Sequence, residues 1–175
     1  KRVYPKGRLL SNVLGFTDPD GNGIEGLEWK FDRQLQGRPG WRVTEKDSKQ
    51  REVLWFRSHN VDPIEGCNLV LTIDEVVQDI AEDELEKVFQ EYQAKWATLV
   101  VMEPTTGKIL ALANCPNYDP NYFARADPAD RRNRAVTDPI EPGSAFKVFG
   151  AAAALEARVV ELDTKFYCEN GVFRI

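Results

Sequence analysis

Apolar residues recur at four-residue intervals at Leu27, Phe31 and Leu35, the spacing of one face of a helix. The run follows a Gly-rich turn at Asp18 to Gly26 and stops near Gly37, so one short amphipathic helix is expected there, broken by Pro39-Gly40. Trp41-Arg42-Val43-Thr44 and Glu52-Val53-Leu54-Trp55-Phe56 are rich in β-formers and flank the polar turn Lys46 to Gln50. They read as a hairpin. Asp62-Pro63 through Glu65-Gly66 reads as a linker.

From Leu69 the order becomes strand, helix, hairpin, loop, helix. Val76, Val77, Ile80, Ala81, Leu85, Val88, Phe89 and Tyr92 fall at helical spacing, with Asp79, Glu82, Glu86 and Lys87 on the other face. This predicts a long amphipathic helix capped near Thr72 or Asp74 and packed on a sheet. The sheet would take Ala97 to Glu103 and Lys108 to Asn114, joined by the turn sequence Pro104-Thr105-Thr106-Gly107. Asn114 to Gly143 is then a long irregular segment, and segments of that length tend to be functional. Val148 to Leu155 is too apolar for a surface helix and is expected to be buried. The fold class is α+β.

With 175 residues, the chain can bury one good core or parts of two. Its net charge of −5 argues against a nucleic-acid partner, and the run Arg131 to Arg134 reads as a solvated or ion-paired loop. No apolar stretch reaches the roughly 18 to 20 residues that cross a bilayer. Cys67, Cys115 and Cys168 are odd in number and lack metal-ligand spacing, so free thiols are expected, with no metal site and no cofactor. Asp18-Pro19-Asp20-Gly21-Asn22-Gly23 opens like a calcium loop, but Trp29 stands where the closing carboxylate belongs and Glu28 is one place early. A tight turn is the better reading. His59 is the sole histidine, and nothing singles it out for a Ser-His-Asp triad.

Glu141-Pro142-Gly143-Ser144-Ala145-Phe146-Lys147 carries the chemistry. Ser144 and Lys147 are one helical turn apart, so a neutral Lys147 amine can take the Ser144 proton. Desolvation by Phe146, Val148 and Phe149, and the positive end of the helix dipole, would favour the free base. Pro142 and Gly143 sharpen the helix entry, and Gly143 leaves room for a substrate backbone. A bare Ser-x-x-Lys arises by chance about once in a chain of this size. The Pro-Gly entry and the apolar helix behind it are what lend it weight.

Arg131-Arg132-Asn133-Arg134-Ala135-Val136-Thr137-Asp138, followed by that motif, resembles the active-site entry of class B penicillin-binding proteins. Val3-Tyr4-Pro5, Val13-Leu14-Gly15-Phe16, Gly23 to Glu28 and Gly37 to Gly40 resemble the family's pedestal. Leu69 to Asp74, Val101 to Ala111 and Pro116 to Asn121 resemble the start of its transpeptidase domain. The resemblance implies part of a non-catalytic, dimerisation-type pedestal at 1–63. It implies the N-terminal half of a serine D,D-peptidase or β-lactamase-like transpeptidase domain at 64–175.

By that resemblance Ser144 and Lys147 are the catalytic pair, and Ser144 and Gly143 meet substrate or a β-lactam. The implied activity is peptidoglycan D,D-transpeptidation through an acyl-enzyme. Stem peptides, β-lactams and membrane-embedded synthesis partners would be the ligands, and the extracytoplasmic face of a bacterial membrane the location. The chain begins at Lys1 and ends in strand-like Val172 to Ile175, so both ends read as cut and a soluble, inactive piece is expected. The family's later Ser-x-Asn and Lys-Thr-Gly elements are missing. Ser58-His59-Asn60 precedes the serine and Thr106-Gly107-Lys108 runs in reverse, so both are coincidences. Ala145 stands where the family usually has Thr, with little consequence for chemistry. Without sheet neighbours, Ala97 to Asn114 invites edge pairing. Two other readings share the motif: a non-catalytic interaction module of a cell-wall assembly complex, and a serine β-lactamase or sensor. The latter has no need of a pedestal.

Overall fold

Short helices and hairpins follow one another in a computed structural model that describes residues 2–46, 48–49, 52–53, 59–168 and 171. The chain forms two compact units, 1–138 and 139–175.

The first unit opens with turns and a one-turn helix, α1 (Ser11–Leu14). Gly15 and Gly26 follow at positive φ, 74° and 62°. A Cβ on Gly15 would lie 1.9 Å from the Glu25 carbonyl oxygen, and one on Gly26 2.5 Å from that of Val13. Only glycine fits either place. Between them Asp18 closes a turn, its Oδ1 accepting the Asn22 N–H at 2.8 Å and its Oδ2 the Asn22 Nδ2 at 2.7 Å. The oxygens a calcium loop would need are engaged by the turn itself.

The single helix expected through Leu27, Phe31 and Leu35 is two, α2 (Gly26–Lys30) and α3 (Asp32–Leu35), with Phe31 between them at φ −112° and ψ 20°. All three apolar residues remain half-buried. The break falls where Asp32 Oδ1 accepts the Gly23 N–H at 2.7 Å, tying the start of α3 back to the preceding loop.

Strands β1 (Trp41–Val43), β2 (Glu45–Lys46), β3 (Glu52–Val53) and β4 (His59–Val61) form two antiparallel ladders, β1 with β4 and β2 with β3. The hairpin exists, but its return strand differs from the expected 52–56. Glu52 and Val53 pair near the turn, Leu54 to Phe56 lie outside the described residues, and Trp41 faces Val61. Beyond it Arg38 and Ile64 exchange backbone hydrogen bonds at 2.8 and 2.9 Å, and the Cys67 N–H reaches the Gln34 carbonyl at 2.7 Å.

Helix α4 (Glu75–Glu91) starts at Asp74, whose Oδ1 accepts the N–H groups of Val76 and Val77 at 2.9 and 3.0 Å. It packs on an antiparallel hairpin of β5 (Ala97–Met102) and β6 (Ile109–Cys115). Ala81 and Leu85 of the helix meet Ala111, Ala113 and Cys115 of β6, flanked by Val77, Phe89, Leu99 and Val101. A sheet two strands wide covers only part of the apolar stripe, so Val76, Ile80, Val88 and Tyr92 stay exposed.

As expected for Ala97 to Asn114, no third strand joins β5 and β6 among the described residues, but the outer edge of β6 is covered in another way. Thr72 Oγ1 donates to the Ile109 carbonyl at 2.7 Å, the Asp74 N–H to that of Leu110 at 2.9 Å, and Gln78 engages Leu112. On the far side of β5 no strand lies among the described residues. The first unit ends with a 3-10 turn (Pro120–Arg125) and α5 (Arg134–Thr137); the second holds a 3-10 turn (Gly143–Phe146) and α6 (Lys147–Glu156).

Candidate active site

The segment leading to the serine is fastened to the first residues of the chain. Asn121 grips Tyr4 at two points, its Oδ1 accepting the Tyr4 N–H at 3.0 Å and its Nδ2 donating to the carbonyl at 2.8 Å. The Tyr118 hydroxyl donates to the Ser11 carbonyl at 3.2 Å. Burial, with the charge of Glu25 second, pushes that phenol well above its ordinary range. Phe16 stacks on Phe123 at 4.1 Å and 11° and meets Tyr118 edge-on at 6.4 Å. The Arg131 guanidinium lies over the Phe16 ring itself, 5.2 Å from its centroid, and pairs with Glu25 at 3.4 Å. Its Nε is buried without a partner among the described residues.

Two further amides set the end of this segment. Buried Asn12 donates through Nδ2 to the carbonyls of Asp130 at 2.7 Å and Arg132 at 3.2 Å. Buried Asn114, on β6, donates to Asn133 Oδ1 at 3.2 Å and accepts the Ala135 N–H at 3.4 Å. Asp138 then gathers three donors: the Thr137 hydroxyl at 2.8 Å, Arg134 at 3.0 Å, and Arg132. The Thr137 hydroxyl first, then the arginines, hold its carboxyl below the usual carboxylate range. Arg134 also lies over Trp96, 5.9 Å from the ring centroid. The basic run is thus ion-paired, as its composition implied.

In the second unit Gly143 adopts φ +54°, with nothing within 4 Å of a Cβ built there. It opens the 3-10 turn, whose last N–H, that of Lys147, points to the carbonyls of Ser144 and Ala145. Residues i and i+3 eclipse in a 3-10 turn, so Ser144 and Lys147 share one side of the helix entry. Both are exposed, and among the described residues neither side chain has a hydrogen-bond partner.

The helix expected to be buried is open. Phe146, Val148 and Phe149 are 62%, 69% and 66% exposed, and the two phenylalanine rings lie 5.8 Å apart. No strand stands among the described residues of 139–175 to cover them. The desolvation expected at Lys147 is therefore not supplied within this unit.

The two coincidental motifs are taken up by strands and turns of the first unit. Ser58 lies outside the described residues, His59 pairs in β4 with Val43, and Asn60 is engaged by Asp62 at 2.8 Å. Thr106-Gly107-Lys108 forms the β5–β6 turn, with Gly107 at φ +73°. Among the described residues no group of three or more His, Cys, Asp or Glu is placed to hold a metal ion. Sequence reasoning missed Asn12, Asn114 and Asp138. For Asp138 a signal existed in its four-residue spacing from Arg134.

Comparison with known proteins gives two family matches. Residues 1–71 match the penicillin-binding protein dimerisation domain, and residues 97–174 match the penicillin-binding protein transpeptidase domain. The chain belongs to the class B penicillin-binding proteins. Among relatives of this penicillin-binding family is a probable peptidoglycan D,D-transpeptidase PenA of Neisseria meningitidis, 47% identical over 94% of the chain and 29% of the relative. The peptidoglycan D,D-transpeptidase FtsI of Escherichia coli is 37% identical over 98% of the chain and 29% of the relative. Among solved structures, penicillin-binding protein 3 of Mycobacterium tuberculosis complexed with aztreonam superposes with a TM-score of 0.76. It is 30% identical, over 95% of this chain and 34% of that one. The chain thus spans about a third or less of the length of these penicillin-binding relatives. Among the described residues no helix is long and apolar enough to cross a membrane.

Proposed function

We propose that the chain serves peptidoglycan D,D-transpeptidation, with residues 1–63 as pedestal and 64–175 as the N-terminal part of the transpeptidase domain. The single observation that carries the reading is the shared face of Ser144 and Lys147 at a glycine-led helix entry, inside the segment that matches the transpeptidase family. Ser144 Oγ attacks the carbonyl carbon between the two terminal D-alanines of a stem peptide, and Lys147 takes the hydroxyl proton. The peptide C–N bond breaks, the proton passes to the departing D-alanine amine, and an ester to Ser144 remains. An amine of a neighbouring stem attacks that ester, closing the cross-link and restoring the serine.

A β-lactam acylates the same oxygen by opening its ring, and Gly143 leaves space for either ligand to approach. The Ser144 N–H is one oxyanion donor; strong stabilisation takes a second. In the family that donor belongs to a Lys-Thr-Gly strand, a sequence this chain does not contain. The pedestal would meet membrane-embedded partners of cell-wall synthesis, outside the cytoplasmic membrane.

The test is intact-mass spectrometry after exposure to a fluorescent penicillin, on this chain and on a version extended to the length of its relatives, each beside Ser144→Ala. A serine-dependent adduct on the extended protein is the expected result. Absence of an adduct on a folded extended protein transfers the weight to a non-catalytic interaction module.

A further inference from the structure

The two-stranded ribbon of β1 and β4 turns an apolar side to solvent. Trp41 and Val61 stand directly opposite one another in the ladder and so share a face, and Val43, two residues along β1, shares it with them. They are 55%, 47% and 50% exposed, respectively for Trp41, Val61 and Val43. Arg42 and Asn60, the next pair, take the other face. Arg38 and Ile64 extend the ribbon in the same register through their two backbone hydrogen bonds, and both are exposed.

Charge is segregated to the same stretch of chain. Between Arg38 and Val61 the sequence holds six Arg and Lys against three Asp and Glu, a net +3 in a chain of net −5, so the remainder carries −8. Such asymmetry points to an anionic partner. A soluble polyanion has no use for the apolar face, and two copies meeting on it would set one excess of +3 against another. A bilayer containing anionic phospholipid answers both features: tryptophan settles at the level of the headgroups, and basic residues are drawn by the negative surface potential. We propose that the β1–β4 ribbon is a peripheral lipid-binding surface, lying on an anionic phospholipid bilayer with Trp41, Val43 and Val61 turned into it. Strands of three residues are too short to span a bilayer, so the contact stays at the interface.

The test is co-sedimentation of the whole chain with sucrose-loaded vesicles, phosphatidylcholine mixed with phosphatidylglycerol against phosphatidylcholine alone. The chain binds the mixed vesicles about tenfold more strongly, and added salt releases it. Trp41→Thr, which keeps a β-former in the strand, lowers binding to the mixed vesicles about tenfold. Arg38→Gln combined with Arg42→Gln lowers it by about tenfold as well, and leaves the weaker binding to phosphatidylcholine unchanged.

A folded parent chain that does not bind the phosphatidylglycerol vesicles overturns the proposal. So does binding that either variant leaves unaltered: the first result would put the contact elsewhere, the second would remove the role of charge. Circular dichroism verifies each fold, and should Trp41→Thr not fold, the arginine variant, changed only at exposed side chains, decides alone. Self-association in sedimentation equilibrium that Trp41→Thr abolishes, with no binding to vesicles, gives the face to a second copy of the chain and overturns the lipid assignment. None of these readouts involves Ser144, so the lipid test and the acylation test succeed or fail separately.

Discussion

The side-chain amide of Gln78 meets the peptide group of Leu112 as a neighbouring strand would. Oε1 accepts the Leu112 N–H at 2.8 Å and Nε2 donates to its carbonyl at 3.1 Å. Gln78 is fully buried, and its Nε2 also reaches Glu82 at 2.6 Å. A helix residue thus does the work of a sheet edge, and β6 needs no further strand at that position.

Removing this amide leaves two backbone groups buried and unpaired. Gln78→Leu is expected to cost about 2–4 kcal/mol, the loss of two hydrogen bonds in a desolvated place. Urea denaturation of the chain reads the change, and amide exchange at Leu112 should accelerate in the variant. An unchanged urea midpoint would show that another group takes over the edge.

Glu82 is half-buried, accepts the Leu10 N–H at 2.7 Å, and is raised above the ordinary carboxylate value chiefly by burial. A raised carboxylate favours the folded state below the ordinary value near 4.5 and loses that contribution as pH rises through the folded value. Glu82→Gln keeps an oxygen for both donors and removes the buried charge. The variant should melt roughly 2 °C higher at neutral pH and show no gain near pH 4. Thermal melts across that range check the sign.

Asp138 behaves in the opposite sense. Its folded value lies below the ordinary 3.8, so its contribution is present above that value and is lost as pH falls through the folded value. Asp138→Asn should therefore destabilise the chain at neutral pH and converge with the parent in acid. Parallel melting curves at every pH would contradict the ion-pair description.

Cys115 is 2% exposed, beside Glu86 at 3.4 Å, and burial followed by that carboxylate pushes its thiol up to about 12. Cys67 and Cys168 are exposed. Alkylation with iodoacetamide at pH 8 should add two groups to the folded chain and a third only in denaturant, as counted by intact mass.

Local chemistry made parts of this fold readable. Asp74 caps α4 because a carboxylate ahead of an apolar run has N–H groups to receive, and Pro104 to Gly107 turns because Gly107 supplies the positive φ. Phe31 interrupts its helix for a reason the apolar spacing does not contain, the bond from Gly23 to Asp32. The pairing of Trp41 with Val61, beyond the expected return strand, is a matter of register that alternation of apolar and polar residues does not state. The spacing of Ser144 and Lys147 could be read directly. The openness of α6 could not, because apolar composition states what a helix would bury and not what is present to bury it. Asn12 and Asn121 act on residues more than a hundred positions away, and no periodicity announces an amide with a distant carbonyl.

Those amides give the first unit a joint that is indifferent to its medium. Gln78, Asn12, Asn114 and Asn121 carry no charge, so counter-ions have nothing to screen and protons nothing to titrate. The exposed pair of Lys6 and Glu75 will weaken in brine while the amide seams beside it hold. The hydrogen bonds that these amides make in the first unit therefore keep their partners from dilute water to concentrated salt.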